Sequence, residues 1–196
     1  MIETKLTRGR PRDQNLDERV LDVVWDLLQT RSVQSLSLSE IARVAYTNRP
    51  ALYRRWKNVE EIVIDAFMKA TKDQVPTPKS NDPALALREY ITALASFFTG
   101  PVGRTIAEIL GAAQTDPFLL DLFHTKFLSI RRNHGRAVIL KGQREGIFRT
   151  DIDSNLAIDL YAGPIYFRAI AKHAEINDQF AKELSDRVIC AISSQS

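Results

Sequence analysis

The sequence predicts an all-α protein: a three-helix N-terminal domain with a helix-turn-helix, followed by a larger helical domain. Three observations carry this reading. Apolar residues recur at spacings of three and four along most of the chain, with no convincing strand alternation and no internal repeat. Residues that start helices stand ahead of these stripes at Ser37, Asn48 and Asn58. A single proline-rich stretch, Val75 to Pro83, interrupts the pattern and is the best candidate boundary.

Taken in order, residues 1–14 are polar, carry Gly9 and Pro11, and read as a flexible basic arm. Arg8, Arg10 and Arg12 on that extended backbone suit the narrow minor groove of DNA, where negative potential is focused. The plain alternative for them is a solvated basic tail. Leu16, Val20, Val24, Leu27 and Leu28 predict a first amphipathic helix over 15–31. Ser37 and Glu40 form a capping box that opens a second helix, with Ile41, Val44 and Ala45 inward. Asn48 caps a third helix, and Pro50 is tolerated in its first turn because backbone donors are free there. Leu52 and Trp56 face the core, which leaves Arg49, Ala51, Tyr53, Arg54 and Arg55 pointing elsewhere. Asn58 caps a fourth helix with a stripe of Val59, Ile62, Val63, Ala66, Phe67 and Ala70.

Beyond the proline-rich break, helices are predicted at about 83–98, 102–113, 117–143, 153–173 and 177–193. The longest places Leu119, Leu122, Phe123, Lys126, Phe127, Ile130, His134, Ala137 and Val138 largely on one face, so His134 reads as a core histidine. Gly146 ahead of Ile147 and Phe148 predicts a helix stop with an apolar contact. Gly163-Pro164 should kink its helix or remove a hydrogen bond. Gly100-Pro101-Val102-Gly103 is either a mobile gate or a turn. The lone Cys190 reads as buried between helices.

Composition narrows the function. With 44% hydrophobic and 26% charged residues, the 196-residue chain is of soluble globular type and long enough to bury a sizeable core. Residues 1–57 hold 11 Lys/Arg against 7 Asp/Glu, while the rest hold 16 against 17, so the basic end is the one suited to a polyanion. One cysteine excludes an intramolecular disulfide framework, and the absence of a long apolar run or an apolar leader points to the cytoplasm and away from membranes. His124, His134 and His173 lack metal-ligand spacing, and no phosphate loop or Gly-x-Ser-x-Gly sequence occurs. No enzyme activity, metal or cofactor is therefore expected.

The segment from Leu36 to Phe67 resembles the DNA-binding domain of the TetR/AcrR regulator family. The matching residues are Leu38-Ser39-Glu40-Ile41-Ala42, then Arg49-Pro50-Ala51-Leu52-Tyr53-Arg54-Arg55-Trp56, then Asn58 with Glu60-Glu61-Ile62. The later part matches in architecture and in a Gly-Gln-Arg-Glu-Gly-Ile-Phe stretch at 142–148. The resemblance implies that Arg49, Pro50 and Ala51 reach bases, Arg through a guanine edge and the other two through apolar contact. It implies phosphate contact for Tyr53, and phosphate or base contact for Arg54 and Arg55. Ser37 and Ser39 would meet phosphate with the free N–H groups of the second helix. Asn48, which opens the third helix, belongs to the same candidate set. Two departures stand out: Tyr46 occupies the family's turn glycine, where a positive φ is costly, and Val59 replaces a phosphate-binding lysine, a contact either missing or supplied by Lys57.

The implied organisation is a basic arm (1–14), a helix-turn-helix domain (15–57), a connecting helix (58–75) and a helical effector-binding and dimerisation domain (76–196). A palindromic operator requires two copies. The resemblance implies that the last two helices pair with their mates, so Leu156, Leu160, Phe167, Phe180, Leu184, Val188 and Ile192 are candidates for that homodimer interface or the core beneath it. Phe97, Phe98, Ile109, Phe123, Phe127 and Tyr161 are the candidate lining of an apolar effector cavity, with Arg104, Glu108, Gln114, His124 and Arg131 as possible polar contributors. The sequence thus points to a repressor released by a small apolar or amphipathic effector. The rival reading is an architectural DNA-binding protein that coats or bends DNA without an effector.

Overall fold

A computed structural model describes residues 14–72, 74 and 78–194, and among these there is no strand, only an isolated bridge between Phe148 and Ser193. Helix α1 (Gln14–Leu28) is followed by a single 3-10 turn (Val33–Ser35), then α2 (Leu38–Val44), α3 (Arg49–Tyr53) and α4 (Val59–Thr71). The second part holds α5 (Pro83–Phe97), α6 (Gly100–Ala113), α7 (Pro117–Leu122), a π-helical turn (Phe123–Leu128), α8 (Ser129–Arg144), α9 (Ser154–Ala171) and α10 (Asp178–Ile192). The Arg8, Arg10 and Arg12 arm lies outside the described residues, as does the stretch at 75–77.

The caps explain the starts of the helices. The side-chain oxygens of Asn48 and Asn58 accept from the backbone N–H of Ala51 (2.9 Å) and Glu61 (3.0 Å), satisfying donors that a helix start leaves free. Ser37 accepts from Glu40 N–H at 3.3 Å, but the reciprocal half of the predicted capping box is not used: the Glu40 carboxylate turns to Arg31 instead. Between α2 and α3, Thr47 N–H reaches Ala42 C=O (2.8 Å) and Tyr46 N–H reaches Arg43 C=O (3.3 Å). This is the Schellman closure, and it forces Tyr46 into the left-handed region at φ 50°.

The same closure ends α8. Ile147 N–H bonds Gly142 C=O at 2.9 Å, with Gly146 at φ 73°. Phe148 then lies against Gly142 so closely that a Cβ there would stand 2.1 Å from its Cδ2. Helix α9 continues through Pro164, which simply withdraws one donor from the ladder. The Gly100–Gly103 segment opens α6, and Gly103 packs on the Phe98 carbonyl with no room for a side chain.

One continuous apolar core runs through both parts, from Val20, Val24, Ile41 and Leu52 through Ile62 and Phe67 to Ile91, Ile106 and Ile139. Helix α1 lies along α4, and α5 packs against α10 and α8.

The π-helical turn corrects one expectation. A π-helical turn holds an extra residue relative to α-helix, so it rotates everything after it by one position. The predicted inward positions of Ile130 and His134 give way to Arg131, Gly135, Ile139 and Gly142, while Val138 stays partly buried against the core. Ile130 and His134 are exposed, whereas Gly135, Ile139 and Gly142 are buried. His134 is therefore a surface histidine. Cys190 is exposed as well, not buried between helices.

Candidate functional site

Ser37, Ser39, Asn48, Arg49, Pro50, Tyr53, Arg54 and Lys57 are exposed at the outer end of the helix-turn-helix. Cap bonds hold α3 in place and leave the Asn48 amide nitrogen free. Arg49 Nη2 donates to the Tyr53 hydroxyl at 3.2 Å, and its guanidinium lies 5.7 Å from the Tyr53 ring centroid. Residues four apart share a helix face, so the cation and the phenol are presented together.

Two residues of the candidate set do not belong to this surface. Ala51 is only 5% exposed and packs in the core beneath α3. Arg55 folds back to pair with Asp17 on α1 and donates to Ala51 C=O at 3.1 Å. With its side chain only 9% exposed, it fastens α3 to α1 and is not offered to solvent. The helical spacing of Arg55 was legible, but its partner 38 residues earlier was not.

A cavity of about 350 Å³ lies between α5, α6, the π-helical turn, α8 and α9. Tyr90, Phe123, Tyr161 and Tyr166 supply aromatic walls, Leu94, Leu110 and Ile158 aliphatic ones, and His124, Arg131, Arg132 and Asp159 the polar groups. Of the predicted lining, Phe123 and Tyr161 are present. Phe97 and Phe127 stack on each other in the core with ring centroids 6.0 Å apart, and Ile109 is fully buried away from the cavity. Phe98 borders a different, shallower cleft together with Arg104. Tyr166, Arg132 and Asp159 were not foreseen. Arg132 follows the one-residue rotation of α8, whereas Asp159 and Tyr166 border the cavity from α9, whose two apolar faces sequence spacing does not tell apart.

Burial governs the electrostatics here. It pushes the Tyr90 phenol up to about 12 against the opposing pull of Arg131. It raises Tyr161 and Tyr166 further, and it lowers Arg131, partly offset by Tyr90 and Tyr166. Tyr90 donates its hydroxyl to Arg131 C=O at 2.7 Å. Arg132 is held by Asp159 at 2.6 Å. No group of three His, Cys, Asp or Glu suited to a metal occurs among the described residues.

The cavity wall is joined to the helix-turn-helix by packed side chains. Phe123 contacts Phe127 (5.2 Å between centroids), Phe127 contacts Phe67 on α4 (5.0 Å), and Phe67 contacts Trp25 on α1 (6.5 Å). Alongside runs a polar link: Asp65 on α4 accepts from Trp56 Nε1 at 2.9 Å and from Lys126 Nζ at 2.7 Å. Lys126 sits in the same π-helical turn as the cavity residues Phe123, His124 and Leu128.

On the far side of α9, Leu156, Leu160, Phe167 and Ile170 are 54%, 39%, 63% and 49% exposed, an apolar stripe at spacings of four and three around Gly163. The opposite face of α9 buries Ala157, Ile158, Tyr161 and Ile165. Phe180 and Leu184 are half-buried, and the Arg168 guanidinium lies 3.7 Å from the Phe180 ring centroid. Val188 and Ile192, candidates for interface or core, are 4% and 0% exposed and belong to the chain's own core, because that face of α10 lies on α5.

Fold and site together define a helix-turn-helix DNA reader fused to an all-helical domain that encloses a cavity. The family profile of the tetracyclin repressor-like C-terminal domain matches residues 77–188. The uncharacterized HTH-type transcriptional regulator YdeS of Bacillus subtilis (strain 168) is 30% identical, over 90% of this chain and 89% of its own. The HTH-type transcriptional regulator AqdR of Rhodococcus erythropolis is 27% identical, over 81% of this chain and 76% of its own. The crystal structure of the TetR family transcription regulator SCO0332 superposes with a TM-score of 0.74 at 25% identity, covering 92% of this chain and all (100%) of that one. The chain belongs to the TetR family of HTH-type transcriptional regulators, DNA-binding transcription factors and not enzymes. Among its described residues no helix is long and apolar enough to cross a membrane.

Proposed function

We propose that this protein is a sequence-specific repressor that binds a palindromic operator as a homodimer and is released when a small apolar or amphipathic effector enters the cavity. The observation that carries the reading is the physical continuity between the two ends. Phe123 and Lys126 belong to one π-helical turn, and through Phe67 and Asp65 on α4 they touch Trp25 and Trp56 of the DNA-reading domain. An effector that moves this turn tilts α4, and with it the spacing of two recognition helices across a dimer. An effector acts only through its different affinity for the two arrangements.

At the DNA end, Arg49 is the base-reading side chain and Pro50 an apolar contact to a thymine methyl group. Tyr53, Arg54 and Lys57, with Ser37 and Ser39 at the start of α2, take phosphates, and Asn48 keeps amide donors for the same strand. Leu156, Leu160 and Phe167 on the exposed face of α9, with Phe180 and Leu184 at its margin, form the dimer contact. An apolar stripe of this kind facing water is what an interface core requires.

The test is displacement. The full chain bound to a duplex enriched from a random pool is challenged with a broad panel of small apolar and amphipathic compounds. At least one compound lowers operator affinity in the wild type and loses its effect in Ala162→Trp, which fills the cavity from its α9 wall, where Ala162 lines it. A panel in which nothing displaces the protein overturns effector release.

A further inference from the structure

Among the described residues, no carboxylate answers the charge of one cation of the cavity, Arg131. Arg132 is neutralised by Asp159, but Arg131, half-buried, makes a single hydrogen bond among the described residues, from Nη2 to the Thr71 carbonyl at 3.3 Å, and meets no carboxylate there. A guanidinium offers five N–H donors in a planar fork. It is held against the rings of Phe97 and Phe127, 4.9 and 5.4 Å from their centroids, so its position is fixed by packing. The hydroxyl of Tyr161, a residue only 1% exposed, has no hydrogen-bond partner among the described residues, although buried polar groups are nearly always paired. Tyr161 borders the same cavity, with its hydroxyl beside Gly135, one helical turn beyond Arg131 on α8. The remaining walls are aromatic and aliphatic.

We propose that the effector is an organic anion with an aromatic or other compact apolar body, its carboxylate, phenolate or sulfonate received by Arg131. The inference rests on the reading of this cavity as the effector site. Guanidinium donors and a phenol that find no partner among the described residues select an anionic acceptor over a neutral amphiphile, because a charge-assisted pair in a half-buried site is stronger than a neutral one. The same contact gives the anion a mechanical consequence. Thr71 is the last residue of α4, and its carbonyl lies at the negative end of that helix. An anion that recruits Arg131 competes with this carbonyl for the guanidinium, so it loosens the anchor of the helix that carries Asp65.

The probe is a matched pair of dyes, anionic anilinonaphthalene sulfonate and its neutral counterpart phenylnaphthylamine, titrated by fluorescence into the purified full-length protein and its variants. The wild type binds the sulfonate on the order of tenfold or more tighter than the neutral dye. Arg131→Gln abolishes that preference while neutral-dye binding persists, Arg131→Lys keeps much of it, and Ala162→Trp removes both dyes. If the wild type binds the two dyes equally and Ala162→Trp removes both, the anion assignment is overturned and the cavity reading stands. If Ala162→Trp leaves both dyes bound, the cavity reading itself falls. The wild-type comparison decides the charge preference even if Arg131→Gln does not fold.

Discussion

Replacing Lys126 by Met tests the polar link between cavity and DNA reader. The substitution keeps the apolar stem and removes the ammonium that donates to Asp65 at 2.7 Å, while Trp56 keeps its own 2.9 Å bond to the same carboxylate. The Lys126 and Asp65 side chains are 40% and 32% exposed, so solvent screens the pair and its loss costs stability only about 0.5–1 kcal/mol. For a chain of this size that lowers Tm by roughly 1–4 °C. The larger effect falls on transmission. Substitutions along a coupling route change the coupling free energy by about 0.5–2 kcal/mol, which corresponds to a roughly two- to thirtyfold smaller effect of effector on operator affinity. The assay is fluorescence anisotropy of labelled operator with and without saturating effector, for wild type and Lys126→Met. Coupling is reciprocal, so operator must weaken effector binding by correspondingly less in the variant. If Lys126→Met retains the full effector response, the Asp65 link is packing alone and transmission lies in the aromatic contacts of Phe67 and Phe127.

Three further outcomes follow from named residues. Arg49→Ala should cost about 1–3 kcal/mol on the selected operator and relax preference at one base position, as read by competition with single-base variants; an equal loss on every duplex would make Arg49 a phosphate contact. Tyr46→Gly should raise stability by about 1 kcal/mol in thermal unfolding, since Tyr46 is 90% exposed and pays only the strain of its positive φ; a lower Tm would mean that its ring makes a contact elsewhere, for instance across the dimer. Tyr90, raised from 10.0 to about 12 by burial, contributes stability that is whole below pH 10 and is lost as pH climbs toward 12, because the unfolded phenol ionises first. Denaturant titrations should show this loss at about 1.4 kcal/mol per pH unit for that one group, and a shallower fall in Tyr90→Phe.

The helices and their caps were legible because their causes are local. Ser37, Asn48 and Asn58 accept from backbone donors three residues ahead, and Gly146 closes α8, all within one turn of chain. Even the strain at Tyr46 could be anticipated, since the turn demands a left-handed residue whatever side chain stands there. The interior of the second part was less legible. A π-helical turn has no strong sequence signature, and its extra residue moved the inward face from Ile130 and His134 to Arg131 and Gly135. Arg131 and Tyr161 were among the residues the sequence offered for the cavity, but that single shift hid the fit of Tyr161 against Gly135, where a Cβ would come within 2.0 Å of the hydroxyl. Arg55 was misplaced for a similar reason: its partner Asp17 lies on α1, far away in sequence, and Ala51 is buried in the core beneath α3. Helix α9 is apolar on two faces, so pattern alone could not divide core from exposed stripe, nor could it tell that Val188 and Ile192 on α10 belong to the core.

The most direct test of the central claim is selection of bound duplexes from a random DNA pool by the full chain at near-physiological salt. The account predicts enrichment of one palindrome whose half-sites lie about one helical turn apart or a multiple of it, as a two-fold dimer of helix-turn-helix readers requires. No enriched sequence, with retention that falls steeply as salt rises, would contradict it and leave a protein that holds DNA by its backbone alone.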